Sequence, residues 1–315
     1  MGLSVRTTKL LRIATIAIVA VLVGVFASRI EWHELTAALR DADPAPLVLS
    51  SALYFVCLFG KSLVWRIMLE PRNVVPIRRM YRYTIAAQAA SALTPARAGE
   101  LLRVWVLKKR DGVPAAEATA VAIAEKLLLV ITLLIVVAPV PWLLPRLPDW
   151  VANAMLTSAG IGAGMLVVLF FAVGRVDARE PRSWFARMIA GMHVVRDPKR
   201  MALAVITLLF TWSADLIAVM LVLHAVGIDL PIAGGMFILF TFNLAIALPS
   251  TPGQIGALQV GALVATGLLR IPEEQALAFA LLYQAMQLVP LVIVGLILEL
   301  DLVRGRIPAE PQPAA

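Results

Sequence analysis

Of the chain's 315 residues 61% are hydrophobic and 15% charged, with a mean hydropathy of +0.88; a soluble domain has about half and a quarter respectively, so a polytopic membrane protein is expected instead. The formal charge of +8 does not point to a nucleic-acid partner, because the Lys and Arg residues sit in short clusters between apolar runs and no basic domain is interleaved with aromatics. A lone cysteine, Cys57, excludes an intrachain disulfide, and the scattered His33, His193 and His224 lack metal-ligand spacing, so neither metal nor cofactor is expected.

Residues 10–28 follow Arg6, Lys9 and Arg12 and make a first span of about the 20 residues that cross the hydrocarbon. A rival reading takes residues 1–27 as a cleaved signal peptide, since Val25-Phe-Ala27 resembles a small-residue cleavage site. Glu31, Glu34, Asp41 and Asp43 then suit the outer side, and residues 46–69 return to a cytoplasmic loop with Arg72, Arg78, Arg79 and Arg82. Lys108, Lys109 and Arg110 are cytoplasmic by the same rule, so residues 83–107, joined at Thr94-Pro95, read as a re-entrant hairpin.

Residues 114–138 cross outward to a Pro-rich loop, and residues 152–174 cross back. The basic stretch 180–200 has apolar positions at helical spacing; an interfacial helix against anionic headgroups and a plain linker are both consistent with it. Residues 201–226 cross outward, 232–249 and 253–269 form a second hairpin around Pro249-Ser-Thr-Pro252, and 276–298 cross inward. A Pro/Ala-rich tail at 305–315 reads as disordered. The expected fold is therefore all-α, a single membrane domain over 1–304 in the cell inner membrane, with both termini cytoplasmic.

The motif Thr-Pro-x-x-x-Gly-x-Leu occurs at Thr94 and again at Thr251, and Pro114 and Pro272 open similar segments afterwards. The charge pattern places the first hairpin on the cytoplasmic side and the second on the outer side. This predicts two inverted repeats, about 46–138 and 201–298, each with a re-entrant or broken-helix hairpin.

Thr94-Pro95 and Thr251-Pro252 have the chemistry of N-cap and first helical residue, so each is expected to open a half-helix whose free N–H groups suit an anion. Gly99, Gly253 and Gly256 permit tight turning there, or simply close helix packing. Arg97, Glu100 and Arg103 share one helical face, able to hold an anionic headgroup or to form an ordinary ion pair with one snorkelling arginine. Glu125, Lys126 and Asp215 lie deep in spans, where a charge must be paired or functional. The expected pairings join Asp215 or Glu125 to Lys126 or Lys61, although Lys61 and Arg66 are near enough to a span end to snorkel. Gln254, Gln259, Gln284 and Gln287 add an uncharged polar lining, with Gln88 and Asn243 as weaker candidates.

The Pro95-x-Arg97-x-Gly99-Glu100-x-x-Arg103 motif, the span residue Glu125, the Leu248-Pro-x-x-Pro252-Gly-x-x-Gly256 motif and the Trp65-Arg66 ending resemble the lysylphosphatidylglycerol synthase transmembrane-region, or flippase-like, family. The likeness runs from about residue 10 to 302 and implies inverted repeats that move a lipid between leaflets: a phospholipid, a polyprenyl-phosphate-linked glycan or a hopanoid-type lipid. The chain departs from the family pattern at Gln259, Lys126, Leu128 and Leu129, where acidic residues or an arginine are usual. Without a soluble aminoacyl-transferase domain it is not expected to be an enzyme. The leading expectation is a translocase of an anionic or phosphate-linked lipid; the alternatives are a non-transporting accessory to a lipid or glycan synthesis enzyme, and a membrane transferase. Gly160-x-Gly162-x-Gly164 can serve a homodimer or an internal contact.

Overall fold

The computed structural model describes residues 32–69, 75–94, 99–145, 147–175, 197–247 and 256–304. The first expected span, the stretch 180–200 as far as Arg196, and the tail 305–315 lie outside the described residues. What is described is helical throughout: α1 Trp32–Asp41, α2 Pro44–Met68, α3 Ile77–Leu93, α4 Gly99–Asp111, α5 Ala115–Val137, the one-turn α6 Val140–Leu143, α7 Asp149–Arg175, α8 Pro198–Ala225, α9 Ile232–Ala247, α10 Ala257–Leu268 and α11 Glu273–Arg304. Four stretches are long and apolar enough to cross a membrane: Pro44–Met68, Ala115–Leu143, Pro198–Ala225 and Glu273–Leu298.

The helix starts follow local chemistry. Asp43 accepts a hydrogen bond from the Ala45 N–H at 3.0 Å, with Pro44 as the first residue of α2. Asp197 does the same for the N–H groups of Lys199 and Arg200, with Pro198 opening α8. Both satisfy donors that a helix start leaves free. α2 and α8 then run antiparallel, pinned at both ends: the Asp43 N–H donates to the Ala225 carbonyl at 3.2 Å, and Arg200 Nη1 to the Leu69 carbonyl at 3.4 Å. Between them Gly60 lies so close to the Thr211 side chain that a Cβ would overlap it.

Two hydrophobic cores sit at opposite ends of this pair. One gathers Val64, Trp65 and Met68 of α2, Leu208 of α8, Met80 and Tyr83 of α3, and Val106 and Leu107 of α4. The other gathers Leu47 of α2, Val222 and Leu223 of α8, Phe237 and Phe242 of α9, and Leu258 and Ala262 of α10. Each core thus holds one broken helix pair, α3–α4 or α9–α10. Exposed Trp142 and Trp150 flank the α5–α7 connection, and exposed Trp105 lies under Lys109 Nζ at 4.5 Å in α4, as amphipathic rings do at membrane interfaces.

Three elements differ from expectation. α3 begins at Ile77 instead of 83, so Arg78, Arg79 and Arg82 are helical; Arg79 pairs with Asp111 at 3.0 Å and ties the start of α3 to the end of α4. α1 forms where only an outer loop was expected, and α11 extends past both ends of 276–298. In α11, Pro290 has no N–H for the Met286 carbonyl one turn earlier. The Ser51 hydroxyl donates to that carbonyl at 2.7 Å, which keeps the helix tolerable in a dry interior.

Candidate functional site

The C-terminal parts of α3 and α9 and the start of α10 line one cavity of about 600 Å³. Gln88, Ser91 and Ala92 near the end of α3 line it, as do Phe242, Asn243 and Ile246 near the end of α9 and Leu258 at the start of α10. The middles of α2, α5, α8 and α11 supply the rest, including Cys57, Lys61, Lys126, Thr211, Asp215, Gln284 and Gln287. Broken helices allow this because a chain that stops halfway leaves space that a continuous helix would fill.

The described residues at the edges of the two breaks show their local chemistry. Thr94 closes α3: its backbone is extended (φ −108°, ψ 145°), and its hydroxyl donates to the Ala90 carbonyl at 2.7 Å. Residues 95–98, whose N–H groups it was expected to cap, lie outside the described residues, and the described part of the next half-helix begins at Gly99. The hydroxyl and N–H of Thr94 both turn back to Ala90. Pro95 and Arg97 lie outside the described residues, as do Thr251, Pro252, Gly253 and Gln254. Gly256 precedes α10 with φ +91°, a conformation that disfavours side chains, and its N–H donates to Gln259 Oε1 at 2.7 Å. Gln259 Nε2 in turn donates to Gln284 Oε1 at 2.8 Å, linking this break to the cavity lining.

The deep charges sort into two groups. Glu125 and Arg103 are 3% and 4% exposed, do not line the cavity, and face each other at 3.5 Å. Trp65 Nε1 donates to Glu125 Oε2 at 2.6 Å, and its ring lies 4.6 Å from the Arg103 guanidinium carbon. Arg103 Nε finds no acceptor among the described residues, and the ring face is its other favourable neighbour. This cluster fastens α2, α4 and α5 together. Arg103, expected among the headgroup ligands, is withdrawn from the cavity by it.

Around the cavity, Lys126 Nζ forms an ion pair with Glu100, and the Tyr283 hydroxyl donates to Asp215 Oδ1 at 2.8 Å. The expected pairing of Glu125 or Asp215 with Lys126 or Lys61 is thus not the one found. Lys61 points into the cavity instead of snorkelling and forms no ion pair within 4 Å among the described residues. The charges that act on it come from Lys126, Glu125 and Asp215.

The sequence did not single out Tyr283, and it offered Lys61 only as an ion-pair partner or a snorkelling residue. Tyr283 is adjacent to the expected Gln284, and Lys61 shares a helix face with Cys57 four residues earlier, which is the signal available for each. The cavity's remaining wall is apolar. Val130 of α5, Ile161 of α7 and Leu244 of α9 line it and are also 51%, 61% and 60% exposed, so they stand at its rim.

Glycosyltransferase AglD of Haloferax volcanii is similar to this chain, 24% identical across 82% of it. The match spans 49% of that relative, so the chain covers about half the relative's length. No solved structure matches the chain. A helical membrane bundle with these broken pairs is accompanied by a match of residues 12–295 to the lysylphosphatidylglycerol synthase transmembrane-region model, and the chain belongs to that family.

Proposed function

We propose that the protein is a lipid translocase of the cell inner membrane, a transporter and not an enzyme, which moves an anionic or phosphate-linked lipid between leaflets. The observation that carries this reading is the cavity lined by both broken helix pairs, with charged and carboxamide groups set between the four long apolar helices beside an apolar rim. Isolated polar groups there are costly, and a lining of them is favourable when it faces water or a polar ligand. Broken pairs at opposite ends of α2 and α8 suit inverted repeats that open the cavity to one side and then the other. A volume of about 600 Å³ is that of a small-ligand pocket and matches a headgroup.

Reconstitution into vesicles with trace fluorescent phospholipids of differing headgroup tests this. Transfer of at least one of them between leaflets should be faster than in protein-free vesicles. No acceleration for any lipid in the panel, with correctly folded protein, would overturn it.

A second reading is favoured by the similarity to AglD, whose name is that of a glycosyltransferase. In it the chain is a non-transporting membrane accessory to an enzyme of glycan or lipid synthesis. Glycosyl transfer by a membrane fraction that depends on this chain, while purified chain moves no lipid, would select it.

A further inference from the structure

Three charged side chains line the cavity, and two of them are already engaged. Lys126 is neutralised by Glu100, and Asp215 accepts from Tyr283. The Lys61 ammonium forms no ion pair within 4 Å among the described residues, and Lys126, Glu125 and Asp215 act on it only from farther away. An ammonium among apolar spans without an ion-pair partner is stabilised by an anion more than by any neutral guest. Counting Lys61, Lys126, Glu100 and Asp215 as ionised, the site is neutral when empty. It therefore suits one negative charge better than two.

The cavity's size and rim then fix the orientation. A volume of about 600 Å³ holds a headgroup and leaves no room for two long chains. Val130, Ile161 and Leu244 line the space and face outward, so the apolar rim lies between α5, α7 and α9. Helix α7 comes close to α5 here, since a Cβ on Gly162 would overlap the Leu134 side chain, and both residues line the cavity. Chains leaving over this rim remain in hydrocarbon while the charged end stays inside.

Resting on the premise above that the cavity holds a lipid, we infer that it binds a singly charged phosphodiester lipid in one orientation, with the phosphate at Lys61 and the acyl chains passing out between α5, α7 and α9. A soluble phosphate ester offers Lys61 the same anion, but it gains nothing from the rim.

The test uses full-length protein in mild detergent with trace fluorescent phosphatidylglycerol. Lys61→Gln should weaken its binding by about tenfold, the loss of one charge-assisted hydrogen bond, while Lys61→Arg stays within about threefold. A benzophenone amino acid at Leu244 should form an adduct with the lipid that Lys61→Gln removes. The same group at exposed Ile297 of α11, which does not line the cavity, should give only background that Lys61→Gln leaves unchanged.

Excess glycerophosphoglycerol, the same singly charged phosphodiester without acyl chains, should fail to displace the lipid. Complete displacement would show a soluble-anion site and overturn the lipid assignment. Equal adducts at Leu244 and Ile297, or an adduct at Leu244 indifferent to Lys61→Gln, would overturn the orientation. If Lys61→Gln does not fold, the comparison of the two adduct positions and the glycerophosphoglycerol competition on the otherwise unchanged chain still decide. Binding in this pose without leaflet exchange in vesicles would sink the translocase reading alone. Exchange that survives Lys61→Gln intact would sink this one alone.

Discussion

Glu125 and Lys126 are neighbours in sequence but point about 100° apart around α5, so one enters the buried cluster with Trp65 and Arg103 while the other reaches the cavity. The two charges consequently answer different questions. Removing Glu125 leaves Arg103 as an uncompensated buried cation and also strips the acceptor from the Trp65 N–H. Glu125→Ala is therefore expected to destabilise the protein by about 3–5 kcal/mol. The paired replacement Arg103→Met with Glu125→Leu should recover most of that, leaving the orphaned Trp65 donor at about 1–3 kcal/mol. Thermal unfolding in detergent reads both. If Glu125→Ala unfolds at the unchanged temperature yet loses bound lipid, the cluster belongs to the ligand site and its reading as a fastening is wrong.

The half-helix α4 is held against α3 by backbone proximity as well as by side chains. At Gly99, its first residue, a Cβ would overlap the Ala87 carbonyl oxygen, the Ser91 nitrogen and the Ser91 hydroxyl. Two of these are backbone atoms, which cannot rotate away. Gly99→Ala should then push the start of α4 off α3, at a cost in the overpacking range of about 1–3 kcal/mol. It should also disturb the Glu100–Lys126 pair one residue on. Gly160→Ala is the matched control, because nothing stands within 4 Å of a Cβ there. It should leave the melting temperature unchanged, or raise it slightly through helix propensity. Equal losses in the two variants would mean that Gly160 faces a partner such as a second copy of the chain. Of the Gly160-x-Gly162-x-Gly164 face only Gly162 has an internal neighbour among the described residues.

Across the whole molecule, the sequence was informative where one physical signal acts within one stretch. The apolar runs at 46–69, 114–138, 201–226 and 276–298 became α2, α5, α8 and α11 within a few residues, because span length and flanking charge are local. The stop of α3 at Thr94 and the turn at Gly256 before α10 fall beside the Thr-Pro and Gly signals. The pairing of charges was not legible, since Glu125 finds Arg103 and Trp65 through the packing of three helices, and no spacing encodes that. Lys61 misled for a similar reason: it stands about 10 Å from the end of α2, near enough to snorkel, and only the cavity shows that it turns inward. What joins these levels is the antiparallel pair α2–α8 with one broken pair at each end, and it has a topological consequence. If the positive-inside pattern orients the bundle, the α3–α4 break is reached from the cytoplasm and the α9–α10 break from outside. Cys57 is buried and is the chain's single cysteine, so Cys57→Ser gives a background free of thiols. Single cysteines placed at exposed Lys109 and Lys199 should then react with an impermeant maleimide only in inside-out vesicles. Those at exposed Asp229 and Glu273 should react only in whole spheroplasts. Labelling of Lys109 and Glu273 from the same side would put both breaks on one face of the membrane. The cavity could then not be reached alternately by the two halves, and transport would require a different motion from the one that inverted repeats provide.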